Sequence, residues 1–138
     1  MLITKRRLSI AKATKNLDKV FSEYIRMRNA DANGYVKCFT SGKIMHWKES
    51  QAGHYMSRRH MATRWDEQNV QVQSSSDNMF NQGNAPMFAY ALDQKYGKGT
   101  AEKLLIKSRN FWKPTCFELE LLTKEYQKKI DELSKVHG

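Results

Sequence analysis

The sequence predicts a small α+β fold, with outer helices around a strand–loop–strand–helix centre. Three observations carry this expectation. Apolar residues recur at helical steps near both ends, short alternating runs between 35 and 73 read as strands, and clusters of breaker residues separate them. A chain of 138 residues has room for one domain. Within it we expect a basic N-terminal helix in 1–30, a strand–strand–helix core in 35–96 and a helical part in 97–138.

Residues 9–28 form the first predicted helix. Ile10, Ala13, Leu17, Val20, Tyr24 and Ile25 mark its apolar stripe, with Lys12, Lys15, Lys19 and Arg26 largely off it. The run NADANG at 29–34 ends it. YVKCFTSGKIMHW at 35–47 reads as two short strands about a Ser41-Gly42 turn, and further strands fall near Ala52–Met56 and Asn69–Gln73. The basic stretch SRRHMATRW between those two is expected as loop. SSSDN at 74–78 supplies caps for a helix through about Tyr96, which Pro86 must start, kink or divide, and GKG at 97–99 breaks the chain. Thr115 and Glu118 then form a T-x-x-E capping box behind Pro114, opening a last helix striped by Leu119, Leu122, Tyr126, Ile130 and Leu133.

Composition narrows the function. A hydrophobic fraction of 40% argues against disorder throughout, and no stretch approaches the ~20 apolar residues of a membrane span. The basic N-terminus lacks the apolar segment of a secretory signal. Two cysteines, Cys38 and Cys116, cannot make a disulfide framework and point to a reducing, cytoplasmic setting. The net charge is +10, of which residues 1–30 hold eight basic and two acidic side chains. Such a chain attracts polyanions, nucleic acid foremost.

The centre carries the chemistry. His54 falls on the first of the paired strands, Asn69 at the start of the second and Asn78 in the first turn of the following helix. That is the order of a ββα-metal (HNH-type) nuclease finger. Phosphodiester hydrolysis needs a base for water and a cation for the developing charge. A neutral imidazole serves as the base near pH 7, and an amide oxygen can hold a hard cation such as Mg²⁺. On spacing alone, a core histidine and two turn asparagines would explain the same residues.

The context is more specific. WKESQAGHYMSRRHMATRWDEQNVQVQ followed by N-x-F-N-Q-G-N closely resembles the phage NinG (Rap) recombination endonucleases, from about Tyr35 to Asn84 and more loosely through KEYQKKI. The resemblance implies a structure-specific endonuclease using Mg²⁺ or Mn²⁺ on branched DNA, Holliday junctions or D-loops. It also implies phage or prophage origin, action in a bacterial host's cytoplasm, and phage recombination proteins as partners. Carried over, His54 is the general base, Asn69 orients its ring, and Asn78 ligates the metal. Gly53 stands where many such fingers have a metal-binding Asp or His, so a one-residue site at Asn78 is expected, helped by Asn81 or Asp77. A resolvase on a two-fold symmetric junction would work as a homodimer.

The family also pairs two C-x-x-C motifs into a zinc site. Here those positions read Cys38, Ser41, Ser74 and Asp77, a poor tetrahedral set, so structural zinc is not expected. Packing by Tyr35, Phe39, Trp47 and Phe80 would replace it. Arg58, Arg59 and Arg64 are expected to grip phosphates, with one of them free to stabilise the transition state. Lys12, Lys15 and Lys19, with Lys5, Arg6 and Arg7, are expected either as a second DNA track or as a solvated helix face. Trp47 and Trp65 are expected in the core and Cys116 as a small buried residue, while His46 and His137 suggest no partner. Two rivals remain: a non-catalytic DNA-binding recombination accessory protein with a degenerate finger, and a basic RNA-binding protein.

Overall fold

The computed structural model describes residues 8–80 and 82–137. The order is α1 (Ile10–Met27), β1 (Tyr35–Lys37), β2 (Ile44–His46), a 3-10 turn (Trp47–Glu49), β3 (Gln51–His54), α2 (Met61–Arg64) and β4 (Val70–Gln73). A π-helical turn (Ser76–Phe80), α3 (Ala85–Tyr96), α4 (Thr100–Ser108) and α5 (Cys116–His137) follow. The fold is α+β, as the sequence predicts. Among the described residues no helix is long and apolar enough to cross a membrane.

Local chemistry sets the helix ends. Ser9 Oγ accepts from the Lys12 N–H at 3.1 Å and starts α1. The capping box forms reciprocally, Glu118 N–H to Thr115 Oγ1 and Thr115 N–H to Glu118 Oε1, each at 3.1 Å. Pro86 resolves to the first turn of α3, where its missing N–H costs nothing. Ahead of it Gln82, Gly83 and Asn84 all take positive φ, so the helix expected from 74 is divided here. Two elements depart from expectation: the SRRHMATRW stretch contains the single turn of α2, and α4 follows the GKG break.

The buried face of α1 is Ala13, Leu17, Phe21 and Ile25. Phe21 was missing from the predicted stripe, and Ile10, which headed it, is exposed. This face packs with Val70 against Leu119 and Tyr126 of α5, the Phe21 and Tyr126 rings meeting edge to face at 4.8 Å. Each such large apolar side chain contributes about 1.5–3 kcal/mol by burial. Glu67 fastens the centre onto this helix pair. It accepts from the Tyr126 hydroxyl at 3.0 Å and the Tyr24 hydroxyl at 3.3 Å and pairs with Lys129 and Arg28. Burial, then the Glu67 charge, pushes both tyrosine hydroxyls up, so they remain donors.

Two antiparallel hairpins make the centre. In one, β1 pairs with β2, Val36 opposite Met45, turning through Gly42 at φ +80°. In the other, β3 pairs with β4, Gln51 opposite Gln73 and His54 opposite Val70. Strand alternation sends Ala52 and His54 toward α1, and Gln51 and Gly53 to the opposite face. Ala52 joins the α1–α5 cluster, whereas Gly53 lies under Gln73: a Cβ there would fall 1.7 Å from Gln73 Oε1. A glycine before His54 is therefore a packing requirement.

Candidate active site

His54 sits at the end of β3, lining a pocket of about 110 Å³ with Asp18, Phe21 and Ser22 of α1, Arg58 and Trp65. Its Nε2 lies 2.9 Å from the Arg64 carbonyl. A carbonyl only accepts, so Nε2 carries the proton and Nδ1 the lone pair. Among the described residues, Nδ1 has no hydrogen bond. Burial lowers the ring's affinity for a proton, with Arg58 and Arg64 adding to the effect and the Arg64 carbonyl and Asp18 opposing it. The ring is therefore neutral at pH 7 and able to act as a base.

Asn69 takes a different route from the one expected. Fully buried, it accepts from the Met56 N–H at 2.8 Å and donates to the Met56 and Thr63 carbonyls at 3.0 and 2.9 Å. Those bonds brace the loop between β3 and β4; the ring itself is held by Arg64. Asn69 thus acts on His54 only through the backbone it pins.

Asn78 lies in the π-helical turn, beside Gln51 at the start of β3. Its Nδ2 donates to Gln51 Oε1 at 2.7 Å, which leaves Oδ1 without a hydrogen bond among the described residues. Asn78 Oδ1 is thus an available hard oxygen donor, of the kind Mg²⁺ accepts when water and phosphate complete its shell. Asp77 does not help it. Asp77 is buried, its Oδ2 accepting from the Thr40 hydroxyl at 2.5 Å and from Asn84 Nδ2 at 3.2 Å. Asn81 lies outside the described residues. No group of three or more His, Cys, Asp or Glu with metal-binding geometry occurs among the described residues.

The expected zinc positions do converge, as a hydrogen-bonded cluster. Cys38 Sγ lies 3.5 Å from Thr40 Oγ1 and accepts from the Ser41 N–H at 3.4 Å; Ser74 Oγ accepts from the Asp77 N–H at 3.3 Å. Gln73 Nε2 closes it, donating to Thr40 Oγ1 and the Gly83 carbonyl, each at 2.9 Å. Burial pushes the Cys38 thiol up, but the Ser41 and Thr40 side chains and the Ser74 and Ser41 N–H groups outweigh it, bringing it down to about 7. Polar contacts, more than the expected aromatics, stand where a metal would cross-link. Of those aromatics, Phe39 packs on Phe88 and Trp47 on the β1–β2 cluster; Tyr35 is exposed, and the Phe80 side chain lies outside the described residues.

The three arginines separate. Arg58 and Arg59 are exposed, Arg58 reaching Asp18 Oδ2 only at 3.9 Å, and both can turn to a phosphate backbone. Arg64 is not: its Nε and Nη2 grip both oxygens of Asp18, and its Nη1 donates to the Arg58 carbonyl at 3.0 Å. Its guanidinium is a structural clamp, correcting the phosphate role expected for it. Asp18, not singled out in the sequence, also accepts from Trp65 Nε1 at 2.9 Å. No signal short of the tertiary fold pairs residues 46 positions apart. Lys12, Lys15 and Lys19 are exposed along α1; Lys5, Arg6 and Arg7 lie outside the described residues. Cys116 is half-buried, its thiol donating to the Leu8 carbonyl at 3.1 Å. His46 gains a structural role, capping the 3-10 turn from Nδ1 and packing over Gly34, while the His137 side chain lies outside the described residues.

Residues 4–136 match the family model described as Bacteriophage Lambda NinG protein. The chain belongs to the NinG family. Membership in NinG associates it with phage recombination. Neither a curated protein nor a solved structure matches the chain.

Proposed function

We propose that this NinG chain is a divalent-metal-dependent DNA endonuclease acting on branched recombination intermediates. The observation that carries the proposal is the His54 ring, neutral at pH 7, with Nε2–H given to the Arg64 carbonyl and Nδ1 without a hydrogen bond among the described residues. In this reaction His54 Nδ1 takes a proton from a water whose oxygen attacks phosphorus. The bond from phosphorus to the leaving oxygen then breaks, and that oxygen takes a proton from solvent. Asn78 Oδ1 would hold Mg²⁺ or Mn²⁺, which would supply positive charge against the charge developing at phosphorus. Arg58 and Arg59 bind backbone phosphates beside His54, and Lys12, Lys15 and Lys19 extend the basic surface along α1. Net charge and family support DNA as the partner.

The test is incubation of purified protein with labelled linear, forked and four-way DNA in Mg²⁺, Mn²⁺ or EDTA. The expected result is metal-dependent cleavage favouring the branched substrates. His54→Ala should lose roughly 10²–10⁴ in cleavage rate while binding DNA as before. A His54→Ala rate within tenfold of wild type overturns the base assignment. Tight binding with no cleavage by the wild-type chain favours the accessory-protein reading instead.

A further inference from the structure

We infer that Asp18, on α1 and outside the strand–strand–helix core, is a positioning residue that sets the His54 tautomer through the Arg64–Trp65 peptide. Asp18 Oδ1 accepts from Arg64 Nε at 3.0 Å and Trp65 Nε1 at 2.9 Å, and Oδ2 accepts from Arg64 Nη2. Two consecutive side chains are thus held by one carboxylate, and the carbonyl between their α-carbons receives His54 Nε2–H at 2.9 Å. Charge-assisted pairs of this bidentate kind are directional as well as strong. The Asp18–Arg64 pair is largely shielded, with side-chain exposures of 20% and 17%.

The charged groups facing His54 are Asp18 from α1, Arg58 from the loop after β3, and Arg64 from α2; β4 presents only Val70. Asp18 supplies the single negative charge among them. It therefore balances two guanidiniums beside the base while fixing the carbonyl that directs the ring. Fixing the acceptor in advance removes the reorganisation that a mobile loop would demand during proton transfer. An N-terminal helix that otherwise contributes apolar packing thereby becomes part of the catalytic geometry.

This inference rests on His54 as the base, and its test separates the two. In ¹⁵N-labelled full-length protein, the His54 Nε2–H resonance, assigned by its loss in His54→Ala, should be protected from exchange with water. Asp18→Asn should lose that protected resonance. Its maximal cleavage rate should fall about tenfold to a hundredfold, with DNA affinity in EDTA no weaker, since the released Arg58 only adds to phosphate binding. Glu67→Gln, which loosens the α1–α5 attachment away from the ring, should lower stability and keep the resonance. If Asp18→Asn does not fold, Trp65→Phe removes one donor to the carboxylate and should weaken protection in the same direction. A protected Nε2–H in the folded Asp18 variant, or in Trp65→Phe when that variant carries the test, overturns the inference. Undiminished cleavage by His54→Ala overturns the base assignment alone, since the resonance still reports on Asp18.

Discussion

The two faces of the β3–β4 hairpin solve the same problem in opposite ways. On the α1 face, Asp18, Arg64 and Trp65 satisfy one another and leave His54 Nδ1 open beside a pocket and an exposed Arg58. On the other face, Cys38, Thr40, Gln73, Ser74 and Asp77 are all buried and bonded among themselves, Gln73 Oε1 being the only buried side-chain polar atom without a partner among the described residues. A polar network that closes on itself stabilises a fold. One that ends on an unpaired basic nitrogen can do chemistry. The difference separates a face that holds the fold together from a face that leaves a base open.

Four measurements sharpen or break this contrast. Arg64→Ala should be the most damaging to stability, about 3 kcal/mol by urea unfolding, because it strips a largely shielded carboxylate of its main partner. A loss below 1 kcal/mol would mean that Arg64 is no clamp. Gly53→Ala should cost roughly 1–3 kcal/mol, since the new methyl displaces Gln73 and breaks its bonds to Thr40 and Gly83. Wild-type stability in that variant would show the closed network to be loose.

The third measurement uses pH. Cys38 ionises at about 7 in the folded chain against an ordinary 9.0, so its folded-state value is depressed. Its contribution is fully present above pH 9 and lost as pH falls through 7. The urea midpoint should rise between pH 7 and 9, gaining on the order of 2 kcal/mol over Cys38→Ser. A parallel pH dependence in both proteins would rule out a stabilised thiolate. The smallest effect on stability belongs to Arg58→Ala with Arg59→Ala, expected near zero. That pair should instead flatten the slope of log K against log salt by roughly two units on duplex DNA. An unchanged slope would move the DNA path to Lys12, Lys15 and Lys19.

Some of the site was legible in the sequence because its signals are local. Ser9, Thr115 and Glu118 cap within three residues, Gly42 turns one hairpin, and the H-x14-N-x8-N spacing puts His54 and Asn78 beside one hairpin. What was missed depends on distance. Arg58, Arg59 and Arg64 look alike as sequence, yet Arg64 clamps both Asp18 oxygens while Arg58 reaches one of them only at 3.9 Å. Asn69 could have reached the ring or the loop, and docking chose the loop. Phe21 and Ile10 exchange roles for a similar reason. A helical period marks a stripe, but where its edge lies depends on how α5 crosses α1.

By itself, then, the sequence determined where α1 and α5 begin, where the strands fall, the basic charge and the family, because each follows from neighbours within a few positions or from a contiguous motif. The tertiary structure decided which arginine is clamped, which nitrogen of His54 keeps its lone pair, and how Cys38, Ser74 and Asp77 join one hydrogen-bonded cluster. Those outcomes rest on contacts spanning 10 to 46 positions, such as Arg64 to His54, Thr40 to Asp77 and Asp18 to Arg64. A hydrogen bond or ion pair is made only when packing brings its partners within about 3 Å, and no local preference specifies that approach.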